Sequence, residues 1–562
     1  MAHSSMRDME TPDHSPSNIA SSTPATSIMG DIHELDNNSS SIASSTPATS
    51  IMGDSEKLDH SSSSIASSTP PTPIVVDLEE HSPGYDAPAA QKWLVVFTTS
   101  FLTLTACFSS TSLLAAADQI AEEFGTQANT INYSSAGLLF AMGLSSFVWG
   151  PIIPLCGRLY AWNACIIALL GWTLAASFAP NLETFILFRV LSGFQGTFFH
   201  VTGQAIIAEY FPPVRRGAAT GLFLCGPVLG PPLGPLVAGV ITTYTTWRVV
   251  LWVQSGMVAL GLILSLIFLQ KGGKAATLKH PSIRDLLHIW NPIRIISLMR
   301  YPNLLLTNVA CALVSWSGYA LMSSPGHLLR TQYNLNSPTL VGLFYLSPAG
   351  GFLAGSVLGG FSSDRSVKLW IEQRGGIRLP QDRLRSGFLS WFVIIPLASL
   401  LFGWGLDRHV GGLALPIVSA FFASAALLEA FAGLATYCAE VMPLNRQEAI
   451  ASKYIVQYTG SALATMFTGP IVDTIGVGLQ SSISAFLGCA AGGLCVLVAL
   501  YGVNMQDWVH RRWPAKAMMP RNEEDLGDGA SLDHVEPVLE KNFQLRLNAA
   551  LPCPPRGALL LV

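Results

Sequence analysis

From Trp93 onward the chain alternates between long apolar runs and short polar connections, after a polar stretch of about 90 residues. Twelve of the apolar runs reach the roughly 20 residues that an α-helix needs to cross the hydrocarbon core of a bilayer. The pattern therefore predicts twelve membrane-spanning helices. Their predicted spans are residues 93–115, 135–155, 160–179, 183–207, 218–241, 248–269, 303–322, 338–361, 387–406, 412–437, 453–473 and 481–503.

The polar stretch before the first predicted helix is a Ser/Thr/Pro-rich tail. A unit of 23 residues recurs in it, beginning at Ile19, Ile42 and Ile65. These units lack the apolar face that stacked repeats need, and the tail has too little apolar surface to order itself. We therefore predict a disordered tail over residues 1–90.

The longest internal connection, residues 271–302, separates the sixth and seventh predicted helices. Apolar residues between Ile283 and Trp290 recur at helical spacing, which is typical of an amphipathic helix on a membrane surface. This linker divides the spans into a six-helix bundle over 91–270 and a second over 303–504. Residues 505–562 form a C-terminal tail.

Composition confirms that the chain does not have the polarity of a soluble protein. It has 562 residues, of which 50% are hydrophobic and 12% charged, with a mean hydropathy of +0.43. These values indicate an integral membrane protein whose first partner is the lipid bilayer. The net charge of -4 and the scattered basic residues give no indication of nucleic-acid binding. Nine cysteines without metal-ligand spacing read as small core residues, so we expect neither a metal site nor a cofactor.

Basic residues are distributed unequally between the two sets of connections. The connections that follow even-numbered helices carry seventeen Lys and Arg residues, and those that follow odd-numbered helices carry only Arg248, Arg330 and Arg408. The positive-inside rule then places the basic side, and with it both termini, in the cytoplasm.

The fifth predicted helix has an unusual run of Gly-Pro pairs. Gly226, Gly230 and Gly234 recur every four residues and share one helix face, where a neighbouring helix can approach closely. The prolines lack amide protons and leave the carbonyls of Phe223, Pro227, Val228 and Pro231 without their usual partners. We expect this helix to lie inside the protein, since lipid cannot satisfy those carbonyls. The competing interpretation is a helix that merely packs closely.

The two predicted bundles resemble each other in sequence. Ala208-Glu209, Pro212, Arg215 and Ala218 after the fourth helix match Ala439-Glu440, Pro443, Arg446 and Ala449 after the tenth, at a constant offset of 231 residues. Residues 150–158 after the second helix likewise match 360–368 after the eighth. Two repeated six-helix bundles are typical of a secondary transporter with its binding site between them. The chain has no GxxxxGK[ST] motif that would indicate an ATP-driven pump.

From Trp93 to about Met505 the chain resembles the major facilitator superfamily, and within it the fungal twelve-helix drug:proton antiporters. The resemblance implies an all-α polytopic membrane protein with two pseudo-symmetric six-helix bundles and both termini in the cytoplasm. It identifies Gly226-Pro227, Gly230-Pro231 and Gly234-Pro235 as that family's antiporter motif. Symporters and uniporters of the superfamily generally lack this motif.

The resemblance extends to two further motifs. RVLSGFQG from Arg189 is similar to the helix 4 motif whose arginine is linked to proton coupling. The loop motif G-x-L-x-D-R-x-G-R-R, which gates the cytoplasmic side, is partly present. The positions that match it are Gly150, Gly157 and Arg158 in the first half, and Gly360, Asp364 and Arg365 in the second. Pro154 and Leu155 stand where the family has Asp and Arg, so no first-half charge latch is expected.

Three ionisable residues inside the spans are candidates for proton coupling. Arg189 and Glu429 lie at depths where a charge costs about 2.5 to 3.5 kcal/mol, so a functional role is the default interpretation. Glu429 either carries the proton or is a fixed partner of a basic group such as Lys453. His200 lies about 20° round the helix from Arg189, so both face the same way. It is either a proton carrier or a satisfied core residue.

Polar and aromatic residues in the second bundle are candidates for lining a cavity that binds a large amphipathic molecule. They are Asn308, Trp316, Tyr319, Tyr345, Gln457 and Tyr458.

These observations predict a monomeric, non-enzymatic carrier in the plasma membrane. It exports a small organic molecule, such as a drug, xenobiotic or secondary metabolite, in exchange for protons by alternating access. The alternatives are an uptake permease or organic-acid carrier on the same fold, or a sensor that binds without transporting. A sugar carrier is disfavoured because residues 268–281 lack that group's Pro-Glu-Ser-Pro-Arg signature.

Overall fold

A computed structural model describes residues 83–211, 216–269, 292–333, 337–376, 378–442 and 445–512. Most of the predicted N-terminal tail, the predicted amphipathic helix before Trp290 and most of the C-terminal tail lie outside these ranges. The described residues are helical, with no strand among them, which confirms the predicted all-α fold.

The first half contains six long helices. They are α1 (Ala89–Thr111), α2 (Ala128–Trp149), α3 (Arg158–Ser177), α4 (Leu182–Gly193 followed by Gly196–Tyr210), α5 (Arg216–Tyr244) and α6 (Trp247–Phe268). Shorter elements connect them. These are the helices Ala117–Phe124 and Ile153–Cys156, with 3₁₀ turns at Pro83–Asp86 and Gly150–Ile152.

The second half repeats this arrangement. Its helices are α7 (Pro302–Ser323), α8 (Pro338–Phe344 followed by Leu346–Gln373), α9 (Ile395–Asp407), α10 (Ala414–Glu440), α11 (446–475) and α12 (477–512). The shorter elements are the helices Ile293–Ser297 and Pro325–Tyr333 and a 3₁₀ turn at Leu298–Arg300. A 3₁₀ helix, Pro380–Gly387, and a π-helical turn, Ser390–Ile394, lead into α9.

Ten helices in the described ranges are long and apolar enough to cross a membrane. One of them, Arg446–Arg512, has 67 residues and would extend about 100 Å if it were straight, three times the thickness of a bilayer core. It bends at Gly476, whose φ of 84° is a conformation that side chains rarely allow, and so forms two spans. The two pieces of α4 are each too short to cross a membrane alone, but they follow one another directly and form one span together. Together these helices account for twelve spans.

Buried apolar residues form five clusters in the described residues, and four of them lie within one half of the chain. Two belong to α1–α6, around Trp162 and Trp247, and two to α7–α12, around Trp391 and Phe402. The fifth joins the halves. Each half therefore has its own core, as two six-helix bundles require.

We call the side on which α1 begins and α12 ends the basic face, and the other side the opposite face. At the basic face, an acidic residue at the end of α4 and its counterpart in α10 each bind arginines of their own half. Glu209 pairs with Arg158, while Glu440 accepts hydrogen bonds from Arg378 and Arg383, both at 2.9 Å. Both carboxylates at the ends of these helices are therefore bound to basic residues of their own half.

The matched segments 150–158 and 360–368 differ in structure, although both were predicted to be loops. In the first half the chain turns at Gly157, which has a φ of 91°. The matching position in the second half is Val367, which cannot readily adopt that conformation, and α8 continues as a helix through Gly360, Asp364 and Arg365 to Gln373. The prediction of a second loop is wrong for this reason.

Candidate functional site

The glycine face of α5 packs against the backbone of α1. A methyl group at Gly226 would collide with the carbonyl oxygen of Ser100, and one at Gly230 would lie 2.9 Å from that of Leu104. Gly234 is similarly close to the end of α1. The neighbouring helix that the sequence could not identify is therefore α1, and larger side chains at these positions would force the two helices apart.

Side chains of α1 satisfy two of the four carbonyls that the prolines of α5 leave without partners. The Ser100 hydroxyl donates to the carbonyl oxygen of Phe223 at 3.1 Å, and the Thr111 hydroxyl donates to that of Pro231 at 2.6 Å. In hydrocarbon an unmade hydrogen bond of this kind is costly. The interior position predicted for this helix is thus explained by atoms of α1.

The two halves meet near the opposite face, where α5 crosses α8. A methyl group at Gly239 would lie 2.5 Å from the carbonyl oxygen of Pro338, and the hydroxyls of Thr243 and Thr339 lie 2.8 Å apart. A cavity of about 250 Å³ also lies between the halves, lined by residues from the short helix Ala117–Phe124 and from α2, α7, α8 and α11. Of the residues predicted to line a cavity, Tyr345 borders this one.

Deeper between the halves lies the fifth apolar cluster, which we call the central interface. It consists of Cys107, Leu138, Leu139 and Met142 from the first half and Ile450, Tyr454, Tyr458 and Ala462 from α11. His200 of α4 borders it: its Nε2 atom lies 3.5 Å from the Cys107 sulfur, and its ring lies 5.0 Å from that of Tyr454.

Other predicted cavity residues divide between this interface and the interior of the second bundle. The Tyr319 hydroxyl reaches across to the Ser110 hydroxyl at 3.4 Å, and the Tyr458 hydroxyl lies 3.9 Å from the Cys107 sulfur. Asn308 instead donates to Ser452 inside the second bundle. Trp316 and Gln457 are half-buried.

Arg189 is 2% exposed and lies in the first piece of α4. It donates to the carbonyl oxygen of Ser109 at 3.1 Å and to the Ser135 hydroxyl at 3.2 Å, while its Nε atom has no acceptor. No carboxylate pairs with it in the described part of the chain. Arg189 and His200 both contact α1, in agreement with the shared direction that their spacing predicts.

Glu429 lies apart from the central interface. Its carboxylate accepts a hydrogen bond of 2.6 Å from Ser390, in the segment leading into α9, and its backbone packs against Gly359 of α8. It forms no ion pair with Lys453 within 4.0 Å, so the structure does not show the fixed partnership that was the alternative to a proton-carrying role.

Lys453 is a residue that sequence reasoning placed wrongly. It was counted among the basic connecting residues, but α11 begins at Arg446, so Lys453 lies two turns inside the helix and is 2% exposed. Its Nζ atom lies 3.7 Å from the ring centre of Tyr454 and 5.1 Å from that of Phe431. Asn445 and Glu448 mark the earlier helix start, as N-terminal cap and first-turn acid, and would have revealed this.

Within the described ranges, no group of His, Cys, Asp and Glu residues could hold a metal ion. The polar groups at the central interface are instead a histidine, tyrosine hydroxyls and a thiol, and the buried Lys453 lies beside Tyr454. This arrangement can bind a small molecule through a few polar contacts and several aromatic faces.

Comparison with known proteins agrees with this architecture. Residues 99–458 match the family model described as Major Facilitator Superfamily. The chain is 26% identical over 500 residues to "MFS-type efflux pump MFS2" of Trichophyton rubrum, covering 84% of this chain and 80% of that protein. It is 20% identical over 543 residues to "MFS antiporter QDR3" of Candida albicans, covering 73% and 77% of the two chains.

Solved structures share the fold at low sequence identity. The D-xylose-proton symporter superimposes with a TM-score of 0.55 at 13% identity, over 72% of this chain and 97% of that one. The human organic anion transporter MFSD10 (TETRAN) gives 0.50 at 16% identity, over 73% and 100%. With the family model covering well over half of its length, and with a core in each of its two halves, this chain belongs to the Major Facilitator Superfamily.

Proposed function

We propose that this transporter exports a small organic molecule from the cytoplasm in exchange for protons, by alternating access. The observation that carries the proposal is the contact of α5 with α1. Its glycines hold two helices together at backbone distance, and Ser100 and Thr111 supply donors to the proline-containing helix. The same Gly-Pro run resembles the antiporter motif, and relatives named as efflux pumps and as an antiporter align with most of the chain.

For the coupling we propose Arg189, His200 and Glu429. Arg189 holds a buried positive charge with no carboxylate partner in the part of the chain that the structure describes, and His200 borders the central interface. Glu429 is half-buried beside Ser390, away from that interface, so the proton and the substrate would occupy separate places. Such coupling acts through the conformation of the protein and not through direct competition for one site.

The basic face is the cytoplasmic one in this proposal, because positive connections remain on that side. The plasma membrane is the proposed location, from which export removes a compound from the cell. One chain supplies both bundles and the interface between them, so the working unit is proposed to be the monomer.

The test uses purified protein in proteoliposomes with an acidic lumen that contains a pH-sensitive dye. Three amphipathic fluorescent compounds of matched size, one cationic, one neutral and one anionic, are added outside. We expect at least one of them to accumulate while the luminal pH rises. In Gly230→Leu we expect this rate to fall by about tenfold or more, because the leucine separates α5 from α1.

The matched control is Gly256→Leu in α6, where a methyl group would meet no atom within 4 Å. It should transport as the wild type does. Three outcomes would contradict the proposed antiport. The luminal pH could change at a rate that no compound alters, a compound could accumulate only when the lumen is alkaline, or Gly230→Leu could transport at the wild-type rate.

A further inference from the structure

We propose that Lys453 binds the negatively charged group of the substrate, and hence that this transporter carries organic anions with an apolar or aromatic body. This inference rests on the proposed transport of a small organic molecule, but not on its coupling to protons.

The first observation is that Lys453 is buried without a hydrogen-bond acceptor or a carboxylate partner among the described residues. It is 2% exposed, and no described residue accepts a hydrogen bond from its Nζ atom or offers it a carboxylate within 4.0 Å. Arg189, which is equally buried, donates to two oxygen atoms, and Arg374 at the basic face pairs with Asp382. Buried charges in proteins are normally paired, so an anionic group of a ligand would stabilise Lys453 at this position.

The second observation is where Lys453 lies. The ring of Tyr454 is shared: Lys453 Nζ lies 3.7 Å from its centre, and the ring of His200, in the other half, lies 5.0 Å from it. Tyr454 belongs to the central interface, which separates when the two bundles rock apart. A ligand that enters between the bundles therefore reaches the ammonium group by way of Tyr454 and His200.

The third observation concerns charge. The nearby carboxylates of the second bundle are already bound to other groups: Glu429 to Ser390, Glu440 to Arg378 and Arg383, and Glu448 to Arg294 at 3.6 Å. None of them pairs with Lys453 within 4.0 Å, and Glu440 and Glu448 are each offset by arginine. The ammonium group of Lys453 is therefore a charge that attracts an anionic group and repels a cationic one.

The fourth observation concerns the walls of the site. Phe431 and Tyr454 flank the ammonium group, and Tyr458 lies 6.2 Å from Tyr454, between ring centres. Aromatic faces suit a flat apolar body. A lysine offers one compact charge with three donors, in contrast to the planar fork of an arginine. The combination fits a carboxylate, phenolate or sulfonate carried on a ring system.

The experiment measures binding of three naphthyl compounds to the purified full chain: 1-naphthylacetate, 1-naphthylacetamide and 1-naphthylmethylammonium. These share a ring and differ in charge. We expect the wild type to bind the carboxylate about tenfold more tightly than the amide, and the ammonium compound most weakly. Lys453→Met keeps the length of the side chain and should bind carboxylate and amide equally. Lys453→Arg should retain most of the preference.

Lys368→Met is the matched control, since Lys368 is exposed on α8, and it should behave as the wild type does. Removal of an unpaired buried charge should leave the melting temperature of Lys453→Met no lower than that of the wild type. A wild-type protein that shows no preference for the carboxylate overturns the inference without any variant. A carboxylate preference that persists in Lys453→Met also overturns it.

This binding needs no gradient, so its result is independent of the antiport. If the charge preference is found and depends on Lys453 while no compound moves protons, the anion site stands and the proposed antiport does not. If a compound moves protons but the protein shows no preference for the carboxylate, the proposed antiport is supported and the proposed anion site is not.

Discussion

The contact between α1 and α5 and the central interface between the two bundles are built from different atoms. Within the first bundle, glycines bring two backbones together, and Ser100 and Thr111 donate to carbonyl oxygens of α5. Between the bundles the central interface consists of rings and long side chains, and its polar contacts are long, such as 3.9 Å from Cys107 to Tyr458. A transporter needs units that stay rigid and a boundary that separates at little cost. The central interface suits such a boundary, whereas the crossing of α5 and α8 at Gly239 is as close as the contact within the first bundle.

The largest effect is expected from fixing the boundary between the bundles. Thr243→Cys combined with Thr339→Cys places two thiols where the hydroxyls lie 2.8 Å apart, on α5 and α8. Oxidation should stop transport almost completely, because neither bundle can then move at the opposite face, and a reductant should restore it. Substrate flux before and after reduction gives the measurement, in a background without native cysteines.

A matched pair within one bundle is the control for this experiment. The hydroxyls of Ser145 in α2 and Thr197 in α4 lie 2.5 Å apart, so cysteines at both positions test a bond that joins parts of one rigid unit. Cross-linking there should leave transport unchanged. Transport that survives the bond between α5 and α8 would mean that this crossing does not open.

An intermediate effect is expected at Glu429, which belongs to neither contact. Glu429→Gln keeps the hydrogen bond with Ser390 but cannot ionise. If Glu429 carries the proton, the variant should exchange substrate without a gradient at nearly the wild-type rate, yet fail to concentrate it when a pH difference is imposed. Counterflow and gradient-driven uptake in proteoliposomes separate the two activities. Full accumulation by the variant would transfer the proton role to His200.

The smallest effect is expected from the donors to α5. Ser100→Ala with Thr111→Val leaves the carbonyls of Phe223 and Pro231 without hydrogen bonds but preserves the glycine contact. Each lost bond should cost about 0.6 to 2 kcal/mol, so the melting temperature falls while transport decreases only a few-fold. Ser177→Ala, which removes a bond within α3, is the control. A loss of transport as severe as that in Gly230→Leu would show that the hydrogen bonds, and not close packing, determine the function of this contact.

Sequence reasoning succeeded where the chemistry is local to one helix. The prolines of α5 identify the carbonyls that lack partners, and the glycine spacing identifies the close face. The identity of α1 as the partner was not predictable, because helix pairing depends on contacts between residues far apart in the chain. Likewise, the twelve spans follow from hydropathy, but the break in α4 between Gly193 and Gly196 was not predicted, because isolated glycines are tolerated inside helices.

Helix boundaries limited the prediction of the site. The hydropathy pattern predicts that α11 begins at Lys453, because the residues before it are polar. In the structure those residues are already helical from Arg446. The predicted boundary therefore placed Lys453 at the helix end and did not show that its charge is buried. The end of α12 was predicted too early for the same reason. The second bundle was predicted to end at residue 504, but polar residues continue α12 to Arg512, eight residues further on.

The bend at Gly476 has a mechanical consequence. Where most neighbouring spans are separated by connections of several residues, α11 and α12 are joined by one residue in an otherwise unbroken helix. The end of α11 and the start of α12 must therefore move together, while the glycine between them allows the angle of the two helices to change. We expect a displacement of α11, which carries Lys453 near its start, to reach α12 only through this joint.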